Sequence, residues 1–243
     1  MNPLHYLLLC EGPTDILVIE KIANKISIDT GRKITIQVLA PQRDATSRYE
    51  DFGWKEVRNW CRLHGTSIDT SANTLEALAA RKRNWRALVA TAKADGLIIQ
   101  MDTDIAKEIV DLSPSYTGST KKSRKKFCFS AFLSWLGETV KPDNIYFLLS
   151  TYSTENWVLA THDRGEDIFN NLNPGFDYED IDNASDRLIA LGYASYIHPE
   201  TGKQKLNKDL NIYKQYALNI ETNLDKVRLE CEEAENLCIK FEQ

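Results

Sequence analysis

Two short acidic clusters each follow an apolar run. Glu11-Gly12-Pro13-Thr14-Asp15 comes directly after Tyr6–Cys10, and Asp102-Thr103-Asp104 directly after Gly96–Met101. A further acid, Glu155, lies just beyond Asn144–Ser150 with Ser153 beside it. Carboxylates two residues apart on an extended segment point to the same side and repel each other. A divalent cation removes that repulsion and supplies charge for phosphate chemistry. The segments carrying these acids offer hard oxygen ligands without thiolate or imidazole, a set that suits Mg2+ or Mn2+ rather than zinc. Two such ions about 4 Å apart activate water and stabilise the leaving oxygen in phosphodiester hydrolysis. Glu11 is placed to ligate metal or act as general base, and Asp15 to reach the same volume from a first helical turn. Each acid alone also reads as a turn or helix-cap carboxylate; their joint placement is what points to a site.

The surrounding pattern supplies elements that would position them. Tyr6–Cys10 is apolar at successive positions, as in a central parallel strand covered on both faces. From Ile16 to Ile26 the apolar residues recur with a helical period, with Thr14 as its expected cap. Thr35–Ala40, Gly96–Met101 and Asn144–Ser150 read as further strands. Trp54–Leu63 and Leu75–Ala92 read as helices, Ser67–Asn73 as loop, Ile105–Ile109 as a short helix and Phe127–Leu136 as a buried helix. Ser113–Lys126 reads as a polar loop, and a helix is expected from Thr154 through His162. The alternation predicts an α/β fold: a mostly parallel, four-stranded, Rossmann-like sheet flanked by helices. Ligands of such sheets bind outside the carboxyl ends of the strands. Beyond residue 163 the composition changes. Ala184–Ala190 reads as helix, Ala194–Lys208 as a hairpin or loop turning at Pro199 and Gly202, and Leu210–Leu237 as one or two helices. The expected division is a catalytic domain over 1–163 and a mainly helical extension over 164–243, whose acid-rich tail reads as a solvated helix.

Composition excludes some classes. Hydrophobic residues make up 42% and charged residues 27%, ordinary for a globular protein, and the net charge of −5 gives no global argument for nucleic acid. No stretch approaches the roughly 18 apolar residues of a membrane helix. The amino-terminal residues read against a secretory leader. Cys10, Cys61, Cys128, Cys231 and Cys238 have no metal or disulfide spacing, so a reducing cytoplasm is expected.

Glu11-Gly12 after a first strand and Asp102-Thr103-Asp104 after a third resemble the signature of the TOPRIM family, found in topoisomerases, primases, OLD-family nucleases and stand-alone bacterial proteins. The EGPTD segment resembles the form seen in nuclease-type and stand-alone members, which carries Asp15 over as an additional acid. STENWVLA resembles the acidic motif after the fourth strand, which places Glu155 at a second metal site. The resemblance covers roughly residues 4–162. It implies a metal-dependent phosphodiesterase acting on DNA, or on RNA, with Glu11, Asp15, Asp102, Asp104 and Glu155 as its catalytic and metal-binding acids and Mg2+ or Mn2+ as cofactor. For the stand-alone members it suggests defence against phage or plasmid DNA. The chain has no nucleotide-binding P-loop, zinc-binding region or identifiable tyrosine nucleophile, so an ATPase from a separate chain is an expected partner; a homodimer is the other, since a two-strand cutter gains from symmetry. Nucleotidyl transfer or strand passage with a partner, and a non-catalytic metal-binding module, are the alternative functions.

Basic clusters are the candidate phosphate contacts. Lys121, Lys122, Arg124, Lys125 and Lys126 crowd five cations into six residues soon after the Asp102 strand. Arg81, Lys82, Arg83 and Arg86 surround Trp85, for which core packing is expected over base stacking. Lys205 and Lys208 are candidates to reach a scissile phosphate, and His162 to lie near Glu155.

Overall fold

The computed structural model describes residues 2–49, 51–66, 75–150 and 152–243. The expected loop Ser67–Asn73 falls outside them. The element order is β1 (Leu4–Leu9), α1 (Pro13–Thr30), β2 (Ile34–Ala40), α2 (Trp54–His64), α3 (Leu75–Arg83), α4 (Trp85–Ala92), β3 (Gly96–Asp102), α5 (Lys121–Leu136) and β4 (Ile145–Ser150). Then follow α6 (Glu155–Leu159), α7 (Ala184–Ala190), β5 (Ser195–Ile197), β6 (Gln204–Leu206), α8 (Leu210–Thr222), α9 (Leu224–Glu230) and α10 (Glu232–Glu242).

The fold is α/β. Four parallel strands run in the order β2-β1-β3-β4, flanked by helices. β1 lies at the centre, with Tyr6 opposite both Ile36 and Gly96, and Leu8 opposite both Val38 and Ile98. Strand alternation sends Leu7 and Leu9 of β1, Leu97, Ile99 and Met101 of β3, and Ile145, Phe147 and Leu149 of β4 into one core with Trp54, Val57, Trp85, Phe132 and Trp135. Tyr6, Leu8 and Ile98, at the intervening positions, are also buried. That two-sided burial is why these runs read as continuous apolar stretches. Gly65 closes the turn after α2 where no side chain fits: a Cβ there would lie 2.6 Å from the Leu136 carbonyl oxygen and 2.7 Å from that of Cys61.

Several local expectations change. α1 starts at Pro13, whose fixed φ suits a first helical position, so Thr14 lies inside the first turn rather than capping it. The expected helix over Leu75–Ala92 is two helices. Asn84 stands between them, its side chain accepting the Arg86 amide at 2.9 Å while its Nδ2 donates to the Gly65 carbonyl at 3.1 Å. The basic run expected in a loop opens α5. Thr120 caps it in a reciprocal box with Ser123, each side chain accepting the other's backbone N–H. α6 is only five residues long, and the chain reaches His162 after that helix has ended.

The chain divides into two compact units: residues 1–13 with 32–149, and residues 14–31 with 150–243. The boundary thus falls at 149/150 instead of 163, and the second unit takes α1 as well. The reason lies in α1's partners: Lys21 and Asn24 both bond the Glu221 carboxylate of α8, at 2.8 and 2.6 Å, and Asp15 bonds Thr154. The second unit is mainly helical, with the β5–β6 hairpin as its only paired strands among the described residues. Its acid-rich end is three helices, α8 to α10, with a buried face carrying Leu224, Val227, Leu237 and Phe241. No described helix is long and apolar enough to cross a membrane.

Candidate functional site

In the first unit, the carboxyl ends of β1 and β3 are adjacent strands, and they bring Glu11 and Asp102 together. The Asp102 amide donates to Glu11 Oε2 at 3.1 Å. Between them lies Gln100, wholly buried. Its Oε1 accepts the Glu11 amide at 3.0 Å, and its Nε2 donates to Asp102 Oδ1 at 3.1 Å. One amide side chain therefore locks the backbone of the first acid and the carboxylate of the second. Gln100 has the same strand phase as Asp102, two residues on, which is why it reaches that carboxylate. It was not among the sequence candidates. The signal was available: a polar residue at the fifth position of GLIIQM must find hydrogen-bond partners when buried.

Asp104 is placed differently from its expected position. β3 ends at Asp102, Thr103 turns into helical backbone at φ −95° and ψ −4°, and Asp104 begins a short 3-10 turn, exposed to solvent. Asp102 and Asp104 therefore do not share one strand face. Both Glu11 and Asp104 still act on one reporter: the Cys128 thiol of α5 is pushed up to about 12, first by burial, then by the charge of Asp104, with Glu11 adding to it. The loop after β2 also meets this edge, where the Gly53 amide donates to the Glu11 carbonyl at 2.6 Å.

These donors match Mg2+ or Mn2+ in kind. In number they are few: among the described residues, no three His, Cys, Asp or Glu side chains form a group able to hold a metal ion. Mg2+ binds through one or two carboxylates while keeping several waters and taking substrate phosphates as further ligands. The Glu11–Asp102 pair fits that mode and does not fit a closed all-protein cage.

Asp15 and Glu155 belong to the second unit, in a polar network of their own. Glu155, 1% exposed, accepts the Tyr213 hydroxyl at 2.7 Å and lies 2.9 Å from Lys208 Nζ. Burial pushes its carboxyl up, but the charge and hydrogen bond of Lys208 and the Tyr213 hydroxyl outweigh that and hold it below the usual range. Burial, then the Glu155 charge, raises the Tyr213 phenol well above its ordinary value. Asp15, also buried, accepts the Thr154 hydroxyl at 2.8 Å. Glu155 thus has a cation beside it within its own unit. Lys208, expected as a phosphate contact, is the cation of that ion pair.

Helical periodicity sorts the α5 cations. Arg124 points inward at 7% exposure, one turn before the buried Cys128. Lys122 and Lys126, one turn apart, are exposed, and Lys121 and Lys125 are half-buried. Trp85 is a core residue, its indole N–H on Glu138 Oε1 at 3.3 Å, and Arg86 pairs with the same carboxylate at 2.5 Å. His162 contacts Glu166 at 3.2 Å and the Tyr193 hydroxyl at 2.9 Å. All five cysteines are buried and outside any disulfide. Comparison of the chain with family models, with curated proteins and with solved structures gave no match.

Proposed function

We propose that this chain is a metal-dependent phosphodiesterase acting on DNA, with RNA as the second substrate class, in the manner implied by its resemblance to TOPRIM nucleases. The supporting observation is the Glu11–Asp102 contact at the carboxyl edge of adjacent parallel strands, 3.1 Å from carboxylate to amide and braced by a buried glutamine. Glu11 and Asp102 are the residues that would hold Mg2+ or Mn2+, with Asp104 on the following turn. The bound ion supplies positive charge to a phosphate and lowers the pKa of a water. The residues themselves do the remaining work. Gln100 fixes the Asp102 carboxylate and the Glu11 backbone, so neither acid must reorganise when substrate arrives. Glu11, tied to the Asp102 amide, is the group placed to accept a proton from water. Lys122 and Lys126 offer charge to a phosphate backbone without reading its sequence. The expected setting is the cytoplasm, and defence against invading DNA is the role the resemblance suggests.

The test is cleavage of plasmid and of single-stranded DNA and RNA with Mg2+ or Mn2+, comparing wild type with Asp102→Ala. The reading expects metal-dependent cleavage that falls by at least about a hundredfold in the variant, the scale of losing an essential electrostatic group. Metal binding by a wild type that leaves every substrate uncut would instead indicate a non-catalytic module.

A further inference from the structure

The β5–β6 hairpin of the second unit carries side chains that its own fold does not use. Tyr196 pairs with Lys205 and Ile197 with Gln204 in an antiparallel ladder. The His198 amide continues it by donating to the Lys203 carbonyl at 2.8 Å. Residues two apart share a face, and cross-strand partners share it too. One face therefore presents Tyr196 and His198 along one strand, opposite Lys205 and Lys203 along the other. Tyr196 is 44% exposed, and both lysines are exposed. The Lys205 ammonium has no ion-pair partner among the described residues. Beside Tyr196 and Lys205 opens a hollow of about 620 Å³, whose wall includes Ser185, Asp186 and Asn207.

We infer that this face binds a single strand of nucleic acid, with a base stacked on Tyr196, its edge turned into the hollow, and the flanking phosphates on Lys203 and Lys205. The inference deepens the nucleic-acid reading given above and rests on it for the class of ligand. Every base has a π-face, so one exposed aromatic ring beside cations suits a strand of any sequence. In a duplex each base face is covered by its stacked neighbours, so an exposed ring that takes a base face selects an unpaired strand. The wall of the hollow mixes a hydroxyl, an amide and a carboxylate, acceptors and donors for a base edge, while Asp209 on the same wall is occupied in capping α8 through the Asn211 amide at 2.9 Å.

The experiment is fluorescence anisotropy with a labelled oligodeoxythymidine and its duplex, on the full chain in EDTA, so that neither metal nor cleavage enters. Expected is preference for the single strand. Tyr196→Ala should weaken it about tenfold or more, and Tyr196→Phe should leave it unchanged. Lys203→Ala with Lys205→Ala should reduce the slope of log affinity against log salt by about 1.4. Unaltered binding by Tyr196→Ala, equal weakening by Tyr196→Phe, preference for duplex, or equal competition by polyglutamate would each overturn the inference. Cleavage by wild type in Mg2+ is read separately. A chain that cuts but is indifferent to Tyr196 loses only this inference, and one that binds through Tyr196 but never cuts loses only the phosphodiesterase.

Discussion

A buried glutamine and a buried glutamate show how differently a polar side chain can be used. Gln100 links two acids through neutral hydrogen bonds at 3.0 and 3.1 Å, organising a carboxylate edge without neutralising it. Glu155 is paired with Lys208 and bonded by Tyr213, so its charge is met where it is buried. The position of Glu155 after a strand was legible; its partner lay more than fifty residues away, and no local spacing announces that. This assignment has a pH consequence. Because the folded carboxyl is held below the ordinary value, its contribution is present above the unfolded pKa of about 4.3 and is lost as pH falls through the folded value. Lys208→Met leaves burial as the leading influence, so the carboxyl rises above the unfolded value and its penalty is fully present at neutral pH. Urea midpoints should show the variant less stable by about 1–3 kcal/mol at pH 7, with the gap closing below pH of about 4. An equal gap at both pH values would assign the loss to the lysine stem instead.

Elements were most legible where packing and local pattern agree. The four strands come out within about two residues of their expected ends: β1, β3 and β4 because burial on both faces makes them largely apolar, and the edge strand β2 because exposed Thr35 and Gln37 alternate with half-buried Ile34, Ile36 and Val38. α5 was misplaced at its start because its first turns hold Lys121, Lys122 and Lys125, residues common in loops. The capping pair Thr120 and Ser123, three apart, was the local signal. The break at Asn84 was masked in the same way by flanking alanines and arginines of high helix propensity. Cations at the start of α5 oppose the helix dipole, a standing cost consistent with use on phosphate. Lys122→Glu should therefore raise stability by about 0.3–1 kcal/mol while weakening DNA affinity, read by thermal melting and anisotropy on the same preparation. A variant that gains stability and keeps its affinity would make this turn merely solvated surface.

At the scale of the whole chain, sequence order and compactness part ways. Composition shifts near residue 163, but α1 joins residues 150–243 in one unit. A change of composition marks where residue types alter; it does not report contacts such as Lys21–Glu221, two hundred positions apart. A fragment ending at residue 163 should consequently lack a cooperative urea transition, because it removes most of the compact unit to which α1 belongs, including the Glu221 carboxylate that holds Lys21 and Asn24. A fragment that unfolds cooperatively with near-native ellipticity would restore the boundary read from composition. The account as a whole depends on two adjacent strand tips sharing one divalent ion. Titration of Mn2+ followed by electron paramagnetic resonance, on wild type, Glu11→Gln and Asp102→Asn, measures that directly. Saturable binding that weakens at least about tenfold in each variant, the scale on which ligand-shell changes act, is the predicted result; Mn2+ binding indifferent to both substitutions would contradict it.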